Sequence, residues 1–210
     1  MRLLDLFCGA GGAAMGYHRA GFEVVGVDIN PQKHFPFEFH QADALEYVRK
    51  HGSEFDAIHA SPPCQRFSVG VPPHIRNKYP DLIAPTRDAI SHLPYVIENV
   101  RGAPLNATLI LCGSMFGLES DTGLVLQRHR YFEAPWLSAL SMACRHQPGK
   151  TVTVTGSGTT SGNRKTLGRN IKTSEMREVM GIDWMNRDEL SEAIPPAYTE
   201  FIGRKLMAIL

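Results

Sequence analysis

A glycine-rich turn between an apolar run and an amphipathic segment most constrains what this chain can fold into. The residue pattern predicts a buried strand over 2–7, the turn over 8–12 and a helix over 12–20. A second apolar run over 22–28 ends in Asp28, 19 positions after the first glycine of the turn. Glycines let the backbone approach a ligand, and a carboxylate at this spacing can accept hydrogen bonds from ribose hydroxyls. The pattern indicates a βαβ nucleotide-binding unit, with a tight turn and a helix-capping acid as the alternative.

Strands and helices continue to alternate through the first half of the chain. The pattern predicts a helix over 43–50, a strand over 55–60 and another short strand, 95–97, within the stretch 94–100. Such alternation favours an α/β fold with a mostly parallel sheet and helices on both faces. The 210 residues, 43% of them hydrophobic, suit one domain with a sizeable core and a small additional region. The proline-rich stretch 61–85 is predicted to be a long loop.

Composition excludes several classes of protein. A charged fraction of 20% with a net charge of +1 argues against disorder and against a globally basic coat protein. The chain has no apolar run of 18 residues and no pattern of a secretory leader, so we expect no membrane contact and a cytoplasmic location. The four cysteines fit no Cys-x-x-Cys spacing, so no bound metal is expected. Cys8, Cys112 and Cys144 are predicted to be small buried apolar residues.

The remaining cysteine, Cys64, follows two prolines at the end of a predicted strand. Catalytic groups in open parallel sheets gather at the carboxyl ends of strands, and the prolines would hold the thiol rigidly there. A thiol is a strong nucleophile once deprotonated, and nearby positive charge would lower its pKa. The position favours a catalytic nucleophile over the alternative, a buried packing residue.

A carboxylate and two arginines occupy comparable positions. Glu98 ends the apolar strand at 95–97, where desolvation would raise its pKa towards that of a proton donor. Arg128 and Arg130 share one face of an extended segment, because residues i and i+2 of a strand point the same way. They could position a polar ring and stabilise charge that develops on it. The alternatives are an exposed loop acid and an edge strand with solvated charges.

One window in the second half of the chain is free of acidic residues. From residue 134 to residue 174 there is no Asp or Glu. The six basic residues of the window are Arg145, Lys150, Arg164, Lys165, Arg169 and Lys172. Its pattern predicts a short strand over 151–155 and then a Gly/Ser/Thr loop, followed by a helix over 174–180 and a final helix from Pro195. Six positive charges against none create a local positive field that the net charge of +1 hides.

Taken in chain order, the motifs resemble those of the DNA cytosine-5 methyltransferases. They are Asp5-Leu-Phe-Cys-Gly-Ala-Gly-Gly, Asp28, Asp43, Pro-Pro-Cys64-Gln, Glu98-Asn-Val and Arg128-His-Arg130. Segments 173–181 and 194–203 resemble the helix after that family's recognition region and its closing motif. The resemblance implies a Rossmann-like methyltransferase fold. Residues 1–133 and 173–210 would form the catalytic domain, and 134–172 a small target-recognition region.

By this resemblance the cofactor is S-adenosylmethionine, with S-adenosylhomocysteine as its product, and no metal is implied. Asp28 would hold the ribose and Asp43 the adenine amine, although Asp43 could equally be a helix N-cap. The residues expected to line the cofactor site are Phe7, Gly9, Gly11, Asp28, Ile29, Asp43, Ala44 and Pro63.

The resemblance also implies covalent catalysis on a cytosine flipped out of double-stranded DNA. Cys64 would attack C6 of the base, Glu98 would hold N3, and Arg130 with Arg128 would contact the O2 edge, while the loop after Cys64 closes over the base. The residues expected to contact DNA are Arg66, Ser68, Arg76, Asn163, Arg164, Lys165 and Arg169. We therefore expect a DNA (cytosine-5-)-methyltransferase, monomeric or dimeric, in a bacterial or phage-infected cell.

Two features leave other interpretations open. The family's closing motif carries Gly-Asn where this chain has Ser191-Glu192, and the recognition region is short. The alternatives are an RNA methyltransferase acting on tRNA, a DNA-binding protein that has lost turnover, and a nicotinamide-dependent oxidoreductase. The last leaves Cys64 and Glu98 without a role, and the intact set of Cys64, Glu98 and Arg130 argues against lost turnover.

Overall fold

A seven-stranded sheet forms the centre of the computed structural model, which describes residues 1–138, 142–156 and 161–210. The strands of the described residues are β1 (Arg2–Leu6), β2 (Glu23–Asp28), β3 (Glu38–Gln41), β4 (Ala57–Ala60), β5 (Tyr95–Asn99), β6 (Leu109–Leu111), β7 (Val125–Leu126), β8 (Arg130–Glu133) and β9 (Thr151–Val152). The central sheet has the order β3-β2-β1-β4-β5-β8-β6.

The first five strands in this order are parallel. Leu6 of β1 lies opposite both Val27 of β2 and Ala60 of β4, so the carboxyl ends of these strands meet at one edge. Strand β8 runs antiparallel to both of its neighbours, β5 and β6. The predicted α/β fold with a mostly parallel sheet is confirmed, and the carboxyl edge is where such sheets place their ligands.

Helices cover both faces of the sheet, as predicted. They are α1 (Gly12–Arg19), α2 (Ala44–His51), α3 (Pro73–Arg76), α4 (Ile83–Ile90), α5 (Ser161–Leu167), α6 (Thr173–Met180), α7 (Arg187–Glu192) and α8 (Pro196–Met207). On one face α1 packs closely on α8, because a Cβ at Gly16 would lie only 2.0 Å from Oγ1 of Thr199. On the other face Val48 of α2 and Ile83 of α4 join the core under the sheet. None of the helices in the described ranges is long and apolar enough to cross a lipid bilayer.

Strands β7 and β9 form a separate two-stranded parallel sheet. Because β7 precedes residue 134 and β9 follows it, this small sheet takes one strand from each side of the domain boundary predicted there. Its apolar side chains share a core with the closing helices. The members of that core include Leu126, Val152, Val154, Met176, Met180 and Leu190. The recognition region is thus packed together with α6 and α7 and is not an independent unit.

Several local predictions need correction. The stretch 61–85 contains the short helix α3 and the start of α4 and is not one continuous loop. The strand expected over 151–155 ends at Val152, because the backbone of Thr153 pairs with the side-chain amide of Asn163. The Gly/Ser/Thr loop predicted to follow lies partly outside the described residues. Helices α5 and α7 were not predicted.

A buried carboxylate fastens β8 to the helical layer. Glu133, which is 1% exposed, accepts hydrogen bonds from Nε and Nη2 of Arg87 at 2.6 and 2.7 Å. It also accepts from the hydroxyl of Tyr95 at 3.0 Å and from the backbone N–H of Asn106 at 2.7 Å. Burial is the largest single influence and raises the pKa of Glu133. The hydrogen bonds together, led by that from Arg87, outweigh burial, so the pKa is lowered. The carboxylate is therefore charged at neutral pH and depends on its donors.

Removing the cation of this pair should destabilise the fold. Arg87→Ala would leave a buried carboxylate without its ion-pair partner, which typically costs about 3 kcal/mol. Because the folded-state pKa of Glu133 is lowered, this stabilisation is present above the unfolded-state pKa and is lost as the pH falls. Urea unfolding at pH 7 and pH 4 measures both effects. The control is Arg204→Ala, whose exposed pair with Glu200 should contribute no more than about 0.5 kcal/mol. An equal effect of the two substitutions at pH 7 would contradict the assignment.

Candidate active site

The glycine turn after β1 has a backbone that only some residues adopt easily. Phe7, Gly9 and Gly11 have positive φ angles of 57°, 49° and 84°. A Cβ at Gly11 would lie 2.8 Å from Cδ of Pro36, whereas at Gly9 it would meet nothing within 4 Å. The turn is therefore closed at Gly11 and open at Gly9, so a ligand could approach the backbone at Gly9.

The acid after β2 lies directly against this turn. Oδ2 of Asp28 accepts a hydrogen bond from the Gly9 backbone N–H at 3.1 Å, and Oδ1 accepts from that of Asn30 at 2.9 Å. The next residue, Ile29, is 65% exposed, which is unusual for a large apolar side chain beside a polar site. Both features fit a ligand with a hydroxylated sugar and an apolar ring.

Asp43 serves as the N-cap of α2, which was the alternative interpretation of this residue. Its Oδ1 accepts from the backbone N–H groups of Leu45 and Glu46, each at 2.9 Å. Both bonds use the same oxygen, so Oδ2 remains available to another donor. Ala44 is buried behind the cap, and Pro63 follows β4 at the same edge. The cofactor residues predicted from the sequence thus gather at the carboxyl ends of β1, β2, β3 and β4, and this donor and acceptor set fits S-adenosylmethionine.

A buried acid that the sequence analysis gave no role lies beneath the turn. The carboxyl oxygens of Asp5 have no well-aligned hydrogen-bond partner among the described residues, although the backbone of Ala14 is close. Burial first, and the charge of Asp28 second, raise the pKa of Asp5 well above its usual value. Burial and the charge of Asp28 therefore both favour the neutral form of the Asp5 carboxyl group.

Cys64 lies at the carboxyl end of β4 on a turn that is fixed from both sides. The side-chain amide of Asn99 donates to the Pro62 carbonyl at 2.8 Å, which fastens the turn to the end of β5. The Cys64 carbonyl accepts from the backbone N–H groups of Phe67 and Ser68, each at 3.0 Å. The thiol is half-buried. This geometry agrees with the prediction of a thiol held rigidly at the strand ends.

Glu98 and Arg130 form an ion pair across the ends of β5 and β8. Nε of Arg130 lies 2.9 Å from Oε1 of Glu98, and both side chains are largely buried. Desolvation, the largest effect, raises the pKa of Glu98 even though Arg130 opposes it. The direction agrees with the expectation from the sequence. Burial thus favours the protonated form of this carboxyl group, and the charge of Arg130 favours the ionised form.

A chain of buried hydrogen bonds supports Glu98 from behind. The hydroxyl of Tyr17 lies 3.0 Å from Nδ1 of His59, and Nε2 of His59 lies 2.9 Å from Oγ of Ser61. Ser61 in turn hydrogen-bonds the Glu98 carboxylate. Burial lowers the pKa of His59 to about 3, so the ring is neutral and connects the two hydroxyls. Sequence reasoning missed this chain, and its one signal was a histidine within the apolar run of β4.

The thiol itself is less acidic than the sequence suggested. Burial is the largest influence on Cys64 and the charge of Glu98 the second, and both raise its pKa. Arg130 and Arg128 lower it but do not compensate. The neighbouring cations act in the expected direction, but burial and a nearby carboxylate have the greater effect on the pKa of the thiol.

Arg128 has different partners from Arg130. It is 2% exposed, and its guanidinium donates to the carbonyls of Val154 and Ser191, at 2.8 Å in the second case. The hydroxyl of Tyr198 donates to the Arg128 carbonyl at 2.6 Å. Burial, the main cause, lowers the pKa of Arg128 to about 9. The guanidinium connects the recognition region to the closing segment. Arg130 is therefore a better candidate than Arg128 for contact with the base.

The closing segment brings an unexpected acid near the cofactor residues. Burial first and the charge of Asp28 second raise the pKa of Glu192, which places the two carboxylates near each other. The Ser191 hydroxyl hydrogen-bonds the carbonyls of Gly156 and Arg187. The departure from the family motif at 191–192 therefore puts an acid, where the family has an amide, within electrostatic range of Asp28.

Two arginines of the loop after Cys64 donate hydrogen bonds to backbone carbonyls of the same loop. Nη1 of Arg66 donates to the Tyr79 carbonyl at 2.9 Å, and Nε of Arg76 donates to the Val71 carbonyl at 2.6 Å. Val69, at the tip, is 88% exposed. Arg66 and Arg76 use part of their donor capacity inside the loop, as does Ser68 through its backbone, and DNA contact by these residues stays a prediction.

The predicted DNA-binding residues of the recognition region differ in availability. Arg164 and Lys165 are exposed on α5. Arg169 makes two bonds of 2.8 and 2.6 Å to the carboxylate of Glu175. Asn163 is fully buried, and its amide bonds the backbone of Thr153, so in this conformation it stabilises α5 against β9 and does not face solvent. Arg164 and Lys165 remain the strongest candidates of the set.

Neutralising Glu98 should make Cys64 more acidic. Glu98→Gln removes the charge that raises the pKa of the thiol and releases Arg130 from its ion pair, so both effects act in one direction. We expect the midpoint of Cys64 alkylation to fall by about one pH unit, a tenfold change in thiolate fraction. Alkylation by iodoacetamide against pH, resolved by peptide mass spectrometry, separates Cys64 from the exposed Cys144. Glu119→Gln is the control, and an unchanged midpoint in Glu98→Gln would contradict the electrostatic account.

Solved structures with the same fold are methyltransferases. The chain superposes on the Dnmt2 methyltransferase of S. pombe with a TM-score of 0.65 and 14% identity, covering 100% of this chain and 99% of that one. It superposes on the methyltransferase EhMeth of Entamoeba histolytica with a TM-score of 0.63 and 12% identity, covering 100% and 99%. At these identities the similarity concerns the fold alone, which this chain shares with these methyltransferases.

Sequence comparison finds similarity over the first part of the chain. The model of the C-5 cytosine-specific DNA methylases matches residues 1–104 of the 210 residues. The type II methyltransferase M.HgiDI of Herpetosiphon aurantiacus is 38% identical over 81 residues, and M.AplI of Arthrospira platensis is 33% identical over 112 residues. These alignments cover 32% and 48% of this chain but only 26% and 31% of the relatives. For M.HgiGI, also of H. aurantiacus and 33% identical, the covered shares are 32% and 63%.

Proposed function

We propose that this protein transfers a methyl group from S-adenosylmethionine to C5 of a cytosine in DNA, through a covalent bond between Cys64 and C6 of the base. The observation that carries the proposal is the position of a fixed, half-buried thiol beside the Glu98–Arg130 pair, at the same sheet edge as the glycine turn and Asp28. The match of residues 1–104 to cytosine-specific DNA methylases supports the choice of cytosine and of DNA.

Cys64 would supply the nucleophile. Its thiolate forms a bond to C6, and the electron pair of the C5–C6 double bond makes C5 nucleophilic. S-adenosylmethionine, when bound, supplies an electrophilic methyl group. After the methyl group has been transferred, the C5 proton leaves to solvent, the C5–C6 double bond forms again and the bond from sulfur to C6 breaks. The thiolate is regenerated, and 5-methylcytosine is the product.

Glu98 and Arg130 would make the base electrophilic. A protonated Glu98 can donate to N3, which stabilises the charge that develops on the ring during attack at C6. Protonation also removes the negative charge that raises the pKa of Cys64. Binding of the base would thus favour the thiolate at the moment when the base is in place. Arg130, released from its carboxylate partner, could then donate to the O2 edge.

The cofactor would lie between the glycine turn and the ends of β2 and β3. Asp28 would accept from the ribose hydroxyls, Oδ2 of Asp43 would accept from the adenine amine, and the exposed side chain of Ile29 would cover the ring. The nearby Glu192 carboxylate stands where it could interact with a positively charged part of the ligand. Oδ2 of Asp43 is the oxygen that the capping bonds of that residue leave available, whereas each oxygen of Asp28 would accept a second hydrogen bond.

Methyl transfer with defined substrates tests the proposal. We expect the protein to transfer labelled methyl groups from S-adenosylmethionine to double-stranded DNA, and Cys64→Ser to reduce the rate by at least about a thousandfold, as loss of a covalent nucleophile does. Cofactor binding by calorimetry should be unchanged in Cys64→Ser. Transfer to tRNA and not to DNA would show that the substrate is RNA and would contradict the proposed DNA substrate. Transfer to neither would overturn the proposed activity.

A substrate analogue tests the covalent step separately. DNA that carries 5-fluorocytosine should become attached to Cys64 in the presence of S-adenosylmethionine, because fluorine at C5 cannot leave as a proton does. Peptide mass spectrometry should locate the adduct on the peptide that contains Cys64. The Cys64→Ser variant is the control without a nucleophile. Methyl transfer without such an adduct would show that the reaction follows a route that does not involve this thiol.

The salt dependence of DNA binding tests the proposed contact surface. Neutralising Arg164 and Lys165 together, as Arg164→Gln with Lys165→Gln, should reduce the slope of log K against log salt by about 2, since each phosphate contact contributes about 1. Arg19→Gln, at the opposite end of α1 from the glycine turn, is the control for loss of a positive charge elsewhere and should leave the slope unchanged. A slope unaffected by the double substitution would place the DNA on another surface.

A further inference from the structure

Two cysteines and two histidines lie close together beside the segment from Arg128 to Arg130. Cys112, His129, Cys144 and His146 each present one ligand atom, and these four atoms all lie within 4.8 Å of one another. Sγ of Cys112 is 3.3 Å from Nε2 of His146, and Sγ of Cys144 is 3.3 Å from Nε2 of His129. Cys112 is buried at the base of the cluster, and His146 and Cys144 are exposed at its rim.

The sheet itself brings the first two of these residues together. Leu111 at the end of β6 pairs with Arg130 at the start of antiparallel β8. Continuing this register by one residue sets Cys112 opposite His129, and cross-strand partners point to the same face of a sheet. The segment after β8 then returns with Cys144 and His146, and the Arg145 backbone N–H between them donates to Oγ of Ser114 at 3.1 Å.

The chemistry of this set is that of a structural zinc site. Zinc in proteins prefers four thiolate and imidazole ligands in a tetrahedron, with bonds of about 2.3 Å to sulfur and about 2.0 Å to nitrogen. Such a tetrahedron separates neighbouring sulfur and nitrogen atoms by about 3.6 Å, which is close to the two measured distances. Two thiolates and two neutral imidazoles also balance the charge of one Zn²⁺ ion.

We propose that Cys112, His129, Cys144 and His146 bind one Zn²⁺ ion, which has a structural role. Four protein ligands fill a tetrahedral coordination shell and leave no position for a substrate, unlike a catalytic zinc site. The hydroxyl of Ser114, 3.7 Å from Sγ of Cys112, is placed to donate to that sulfur, as outer partners of zinc thiolates commonly do. The expectation of no bound metal rested on the absence of Cys-x-x-Cys, and it did not consider ligands brought together by pairing of distant strands.

The ion would stabilise the segment that carries the arginines. His129 lies between Arg128 and Arg130, and alternation along an extended segment points it to the opposite side. Zinc binding would therefore fix the start of β8 from the side away from Glu98. It would also connect the residues that follow β8 to Cys112, at the end of β6. This role does not depend on the reaction that the site performs.

Metal analysis of the purified full-length chain tests the proposal. Protein prepared with a thiol reductant and without chelator should contain about one zinc ion per chain, as measured by inductively coupled plasma mass spectrometry. Exchange with Co²⁺ should give the visible absorption of tetrahedral cobalt with sulfur charge-transfer bands. Cys144→Ser and His146→Gln, both at exposed positions, should lower the zinc content at least tenfold. His92→Gln and Cys64→Ser should retain it.

The controls separate this proposal from the proposed methyl transfer, because Cys64→Ser abolishes the second and keeps the first. Removing zinc with a chelator should speed amide hydrogen exchange over 128–133 and leave exchange in α2 unchanged. A reduced wild-type protein that holds no zinc and gives no tetrahedral cobalt spectrum would overturn the zinc site. So would equal metal content in the wild type and both ligand variants, or a disulfide between Cys112 and Cys144 in protein prepared under the same reducing conditions.

Discussion

The ion pair between Glu98 and Arg130 is the interaction on which the candidate site depends. A carboxylate at the end of a buried strand is costly unless a cation accompanies it. Strand β8 supplies that cation because it runs antiparallel to β5, so its first residue reaches the carboxyl edge where β5 ends. The parallel strands alone would bring acids, glycines and Cys64 to this edge, but the guanidinium comes from the one strand that reverses direction.

The same pair helps to explain why the pKa of the Cys64 thiol is raised. Glu98 opposes the thiolate of Cys64 while the two arginines favour it, and burial adds to the effect of the carboxylate. A site with these opposed charges keeps the sulfur protonated in the free protein. Neutralising Glu98 would remove one of the two effects that raise the pKa of the thiol.

Much of the catalytic half could be predicted from the sequence, because its signals are local. The turn at Gly9, the acid at Asp28 and the prolines before Cys64 lie within or directly after single elements, and pattern and spacing place them. Other features depend on contacts between distant residues. The chain from Tyr17 through His59 to Ser61 and the four-ligand cluster around Cys112 arise from strand order, which no single segment contains. Helix α7 was missed although Asn186 and Glu189 form a capping box, since six residues give too little periodicity.

The buried guanidinium of Arg128 couples two distant segments of the chain. It donates to the carbonyl of Val154 on one side and to that of Ser191 on the other, and water does not reach it easily. If either segment moved away alone, a charged donor would be left without its acceptor in an apolar interior, at a cost comparable to a sizeable part of the folding free energy. One buried charge therefore couples the two segments, and movement of either of them alone is disfavoured.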